Sequence, residues 1–208
     1  MGPVPALSVR GSTYLADMAR KPRRQPNALF HHITNQGARH SDIYLDDDDR
    51  AVFSELLSRA HEKYDVVFHA SCLMGNHYHL LAEFPERNMS QVMHWIGMCY
   101  SQQINQRYDY TGRLCKDRFF NNPVEDDAYF KTAVRYVHRN PMDLGVPVER
   151  LADYTSSSYG VYLGRRKKPE WLRTDLTMGL FQENRLALQQ FTETNLASDL
   201  EPDGKLAG

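Results

Sequence analysis

The sequence predicts an α+β fold: an antiparallel sheet with helices on one face, followed by a helical extension. Three observations lead there. Period-two apolar alternation marks short strands over 28–35, 65–73, 77–84 and 117–124. Apolar residues at helical spacing mark segments over 48–63, 89–108 and 125–139. The second and third strands are separated only by a short turn at Gly75-Asn76, which makes them a hairpin and therefore antiparallel neighbours.

Each element has its own justification. The first strand runs from Ala28 through Phe30-His31-His32-Ile33-Thr34-Asn35 and ends at the turn residues Gln36-Gly37. Asp46 to Asp49 supply a cap and first-turn acids for the first helix, whose inner face carries Val52, Phe53, Leu56, Leu57 and Ala60. The second helix follows Asn88 and lines up Val92, Trp95, Ile96, Cys99 and Ile104. The third begins after Glu125-Asp126-Asp127 and stops at Asn140-Pro141. Beyond Gly145 come helical turns, the basic linker Arg165-Arg166-Lys167-Lys168, and a helix over 175–188. The order β-α-β-β-α-β is that of a split βαβ, ferredoxin-like sheet, in which the strand carrying His77 and His79 is central. Residues 1–17 show no periodicity and read as a disordered N-terminal extension. A folded domain over 18–145, an extension over 146–184 and a tail over 185–208 follow, with Met18 an alternative start.

The composition is that of a globular protein of one domain with a tail: 208 residues, 41% apolar and 25% charged. There is no apolar run of membrane-spanning length and no secretory h-region, so no membrane partner and a cytoplasmic location are expected. Cys72, Cys99 and Cys115 have no CxxC spacing, which argues against a disulfide framework or a zinc knuckle. A net charge of −1 excludes a globally basic nucleic-acid binder but not a local phosphate-binding surface.

Two stretches carry chemistry. In His77-Tyr78-His79 the imidazoles are two apart and project from one face of a strand, with Tyr78 on the other. Neutral imidazoles in such a pair are half of a divalent-metal site. In the third helix, Tyr136 and Asn140 are four apart and share a face. A phenolate is a competent nucleophile beside a cation that polarises a phosphate, and an amide oxygen on the same face can complete the metal shell. Each feature taken singly has a plainer explanation, as a strand histidine, a packed aromatic and a helix terminator.

Together, Met74-Gly75-Asn76-His77-Tyr78-His79-Leu80-Leu81 and Tyr136-Val137-His138-Arg139-Asn140-Pro141-Met142-Asp143-Leu144-Gly145 resemble the single-tyrosine HUH transposase superfamily and, within it, the REP-associated tyrosine transposases. Phe30-His31-His32-Ile33-Thr34-Asn35-Gln36-Gly37, Gly112-Arg113, Asp117-Arg118-Phe119 and Trp171-Leu172-Arg173-Thr174-Asp175 extend the likeness over about 18–182. The resemblance implies a nucleoid-associated enzyme that cuts and rejoins single-stranded DNA beside hairpins of the REP or transposon-end kind. His77 and His79 would hold Mg²⁺ or Mn²⁺, with Asn140 as third ligand by position. Tyr136 would form a 5′-phosphotyrosine link, and the protein would act as a monomer or homodimer. Expected phosphate contacts are Arg23, Arg24, Arg113, Lys116 and Arg118, with Arg165, Arg166, Lys167 and Lys168 on the hairpin stem. Tyr108, Tyr110 and Phe119 are candidates for base stacking. Two other functions fit the same residues: a hairpin-DNA binder without cleavage, and a metal-dependent phosphohydrolase that uses water.

Overall fold

The computed structural model of the protein describes residues 28–194. Four strands, β1 (Phe30–Gln36), β2 (Val67–Leu73), β3 (His77–Glu83) and β4 (Phe120–Val124), form one antiparallel sheet in the order β2-β3-β1-β4. With α1 (Asp47–Tyr64) between β1 and β2, and α2 (Met89–Tyr108) between β3 and β4, this is the expected split βαβ arrangement. β3 is central, as the pairing of two outer connections requires.

Local chemistry explains where the helices begin and end. Asp46 accepts from the Asp49 amide while the Asp49 carboxylate accepts from the Asp46 amide, a reciprocal cap that satisfies otherwise orphaned donors at the start of α1. Arg107 near the end of α2 reaches Asp46, Asp48 and Asp49 at 2.8, 3.1 and 2.7 Å, which ties the two helices together at this corner.

Strand alternation sorts the side chains into two cores. Ile33, Tyr78, Leu80 and Ala82 face α1 and α2 and pack with Phe53, Leu56, Val92, Ile96 and Tyr100. Leu81, Ala70, Cys72 and Val124 face the other way and pack with Phe130, Ala133, Val134 and Val137 of α3 (Asp127–Arg139). The helices of the split unit thus share one face, and α3 covers the opposite one, chiefly over β2 and β3 and reaching β4 at Val124. An irregularity between Phe68 and Ala70 in β2 turns these two residues, though two apart, into different cores.

Two elements differ from the sequence expectation. The fourth strand starts at Phe120 rather than Asp117 because the preceding loop pairs with the turn after β1: Lys116 N donates to Gln36 O and Ala38 N donates to Leu114 O. Gly37 belongs to this close approach, since a Cβ there would lie 2.0 Å from Ser41 O. The single helix expected over 175–188 is two, α5 (Asp175–Leu180) and α6 (Arg185–Glu193), because Gln182 and Glu183 take φ values of +52° and +57°, outside the helical region.

The C-terminal extension seals the free edge of β2. Ser158 N donates to Ser71 O, Leu73 N to Ser156 O and Arg173 N to Phe68 O. The Tyr154 hydroxyl donates to Leu73 O, and Tyr162, from the short helix α4 (Tyr159–Tyr162), to His69 O. Among the described residues no helix is long and apolar enough to cross a membrane.

Candidate active site

The site lies where β3 and β1 leave the cover of α3. Tyr136 projects from α3 onto two imidazoles, its ring edge-on to His79 with centroids 5.5 Å apart and to His32 at 5.3 Å. His77 stands edge-on to His79 at 5.0 Å. Three of the four residues expected to carry chemistry, His77, His79 and Tyr136, therefore meet. Tyr78, between the histidines, is buried on the opposite face against Phe53.

The hydrogen bonds locate the His77 proton and constrain that of His79. Asn76 Nδ2 donates to His40 O at 3.2 Å, which turns its Oδ1 toward His77. That oxygen can only accept, so His77 Nδ1 carries the proton, with 2.7 Å between the heavy atoms, and Nε2 keeps a lone pair. His79 Nδ1 lies 3.1 Å from His32 Nε2. When His79 donates this bond, its Nε2 also presents a lone pair, the usual arrangement of a ligand histidine oriented by an outer partner. Burial pushes His32 down to about 4. His77 is lowered by burial, opposed by the charge of Asp143, and His79 is held well below the ordinary range by burial together with its two histidine neighbours. The cluster is neutral at physiological pH, the form that binds metal.

Asn140 is buried at the end of α3, and its Nδ2 donates to the Tyr136 carbonyl at 2.8 Å. Its amide nitrogen thus braces the helical turn bearing Tyr136, and only the amide oxygen could serve a cation. Among the described residues no group of three or more His, Cys, Asp or Glu side chains has the geometry of a metal site. A cation here would be held by two imidazole nitrogens and otherwise by neutral or phosphate oxygens. This donor set suits an oxygen-preferring ion that keeps open positions, such as Mg²⁺ or Mn²⁺.

Sequence reasoning missed His32 and Asp143 as site residues. The alternation of β1 places His32 on the same face as Thr34, which pairs with His79, but this is visible only once the β1–β3 register is known.

The expected phosphate contacts are distributed unevenly. Arg23 and Arg24 lie outside the described residues. Arg113, Lys116 and Arg118 are exposed on the loop beside β1. Lys167 and Lys168 are exposed, as is Arg165, which reaches Asp153 at 3.3 Å. Arg166 is different: its guanidinium turns inward and donates to the carbonyls of Tyr154, Thr155 and Ser157, so it clamps the extension and does not face solvent like its neighbours. Tyr108 hydrogen-bonds Asp46 and Asp49, and Phe119 packs partly buried against the α1–α2 core; these aromatics are structural. Tyr110 is exposed and stacks on Tyr108 at 5.7 Å.

Comparison with known proteins agrees with this fold. The family described as "Transposase IS200 like" matches residues 25–140, from just before β1 through Asn140. Among solved structures, one of a REP-associated tyrosine transposase bound to a REP hairpin is similar over 76% of this chain and 93% of its own, with a TM-score of 0.60 at 15% identity. A proposed transposase from Deinococcus radiodurans R1 is similar over 54% of this chain and 92% of its own, with a TM-score of 0.40 at 12% identity, too distant to carry an argument. No curated protein matches the chain. With the matched region spanning more than half of its length and containing the whole His–Tyr cluster, the chain belongs to the IS200-like transposase family, whose members process DNA.

Proposed function

We propose that the protein cleaves and rejoins single-stranded DNA at hairpin-forming sequences, with Tyr136 as nucleophile and His77 and His79 holding Mg²⁺ or Mn²⁺. The observation that carries this reading is the meeting of Tyr136 with His79 and His32 at 5.5 and 5.3 Å, from a helix and strands distant in sequence. The fold shared with a hairpin-bound transposase supports the choice of substrate.

In this mechanism the Tyr136 phenol loses its proton and its oxygen attacks the scissile phosphorus. The P–O3′ bond breaks, leaving a 5′-phosphotyrosine on the protein and a 3′-hydroxyl that takes up a proton. Attack by that hydroxyl or another one reverses the step, so the phosphodiester energy is conserved and no nucleotide cofactor is consumed. A divalent cation held by His77 and His79 would supply charge compensation for the phosphate oxygens in the transition state. Asn76 and His32 hold the tautomers of the two ligand histidines, and Asn140 holds the turn that presents Tyr136. Arg113, Lys116, Arg118, Lys167 and Lys168 contact the DNA backbone.

The test is to incubate the protein with hairpin-forming single-stranded DNA and Mn²⁺ and to look for a protein–DNA adduct that survives denaturation. An adduct lost in Tyr136→Phe and in His77→Ala is expected. Binding without any adduct would point to a hairpin binder, and cleavage that persists in Tyr136→Phe would point to attack by water.

A further inference from the structure

The described part of β4 carries an exposed aromatic that no packing explains. Phe120 is 67% exposed, the highest value among the large apolar side chains of the described residues, although it lies within a paired strand. Its neighbour Phe119 points the other way into the α1–α2 core, so the Phe119-Phe120 pair straddles the sheet.

The register says where Phe120 points. Phe120 pairs with Thr34 on β1, and Thr34 pairs with His79 on β3. Directly paired residues of adjacent strands project from one face, so Phe120 and His79 emerge on the same side, two strands and about 10 Å apart. One residue pair further along, Asn122 stands across from His32 in the same way. α3 packs over β2 and β3 and reaches β4 at Val124, at its far end, whereas the Phe120 end of β4 on this face stays exposed beside the site. The chain entering β4 brings exposed Lys116 and Arg118, with the Lys116 backbone bonded to Gln36, the partner of His77.

An open aromatic face, cations at its entry and a phosphate-handling cluster within nucleotide reach together fit one occupant. We infer that Phe120 is a stacking platform for an unpaired base of the single-stranded DNA adjoining the scissile phosphate. The base lies on the Phe120 ring, the backbone passes Lys116 and Arg118, and the next phosphate falls at the His77–His79 pair. Stacking accepts any base, because every base has a π-face, so the platform positions the strand without reading its sequence. This inference rests on the proposed function and refines it.

The test is a binding measurement without metal, which keeps cleavage out of the readout. Wild-type protein, Phe120→Ala and Phe120→Trp are titrated with a hairpin oligonucleotide bearing a mixed-sequence single-stranded 5′ flank, and with the same hairpin lacking the flank. Phe120→Ala is expected to weaken binding of the flanked DNA about five- to 150-fold, the range that loss of one base–aromatic stack gives. Phe120→Trp is expected to retain it, and binding of the flankless hairpin is expected to stay unchanged in both variants. Equal affinity of wild type and Phe120→Ala for the flanked DNA, or equal loss on both DNAs, overturns the platform while leaving the strand-transfer reading intact. Failure of the wild-type protein to bind either DNA overturns both.

Discussion

Asn76 fixes the protonation of the residue next to it. Its amide nitrogen is engaged by His40 O, so the oxygen that faces His77 can accept only from Nδ1, and the ligand nitrogen is left bare. Asn76→Ala should therefore weaken Mn²⁺ binding by about 10–100-fold, the usual cost of losing such an outer partner, whereas Asn76→Asp, which keeps an acceptor, should bind close to wild type. Titration calorimetry with Mn²⁺ alone checks both. The period-two spacing of His77 and His79 and the four-residue spacing of Tyr136 and Asn140 already mark these residues in the chain. His32 could not be found that way: it adjoins His31, and only the pairing of β1 with β3 decides which of the two enters the site. Arg166 escaped for a similar reason. In a run of four cations nothing local distinguishes the one whose guanidinium closes on carbonyls nine to twelve residues earlier.

At the scale of elements, the loop before β4 and the extension beyond α3 have different tasks. The loop is exposed and basic, and under the proposed function its contribution to DNA binding is electrostatic. Lys116→Ala and Arg118→Ala should each lower the slope of log K against log salt by about 0.7 for single-stranded DNA, with little dependence on base sequence. Fluorescence anisotropy over a range of salt concentrations measures this directly. The extension works through hydrogen bonds to the sheet. The Tyr162 hydroxyl donates to His69 O and lies 3.0 Å from Thr177 Oγ1, joining α4, β2 and α5. Tyr162→Phe should cost about 1–2 kcal/mol in urea unfolding, since it strands buried partners without changing shape. The break between α5 and α6 lay beyond sequence reasoning, because Gln182 and Glu183 carry no local preference for the left-handed conformation that they adopt.

For the whole molecule, the sheet order follows from the sequence because the hairpin is short and α1 and α3 begin at clear side-chain caps, Asp46 and Asp126, so few topologies remain. The assignment of faces in β2 does not, because one irregularity at His69 exchanges the two cores beneath an otherwise regular alternation. His69 itself is buried between Phe30 and Phe130, and burial pushes it down to about 4 from an ordinary 6.5. The charge of Asp175 and the Arg173 backbone oppose this, the Arg173 charge adds to it, and Glu83 Oε2 lies 3.4 Å from its Nε2. The unfolded chain takes up this proton first as pH falls. The associated stability is therefore complete above 6.5 and is lost between 6.5 and 4, on the order of 1 kcal/mol per pH unit. Urea unfolding of His69→Leu at pH 7 and 5.5 should show a smaller acid loss than wild type; an identical loss would contradict the assignment.

The sealing of β2 has a consequence for solubility. An uncovered β2 would present a row of unpaired amides and carbonyls along an apolar strand, a template for accretion of further chains. Residues 154–173 occupy that row, while the other outer strand, β4, is interrupted by Pro123, which has no amide hydrogen to offer. A chain cut before Tyr154 would then yield a sheet prone to edge-to-edge aggregation, even though every residue of the His–Tyr cluster would still be in place.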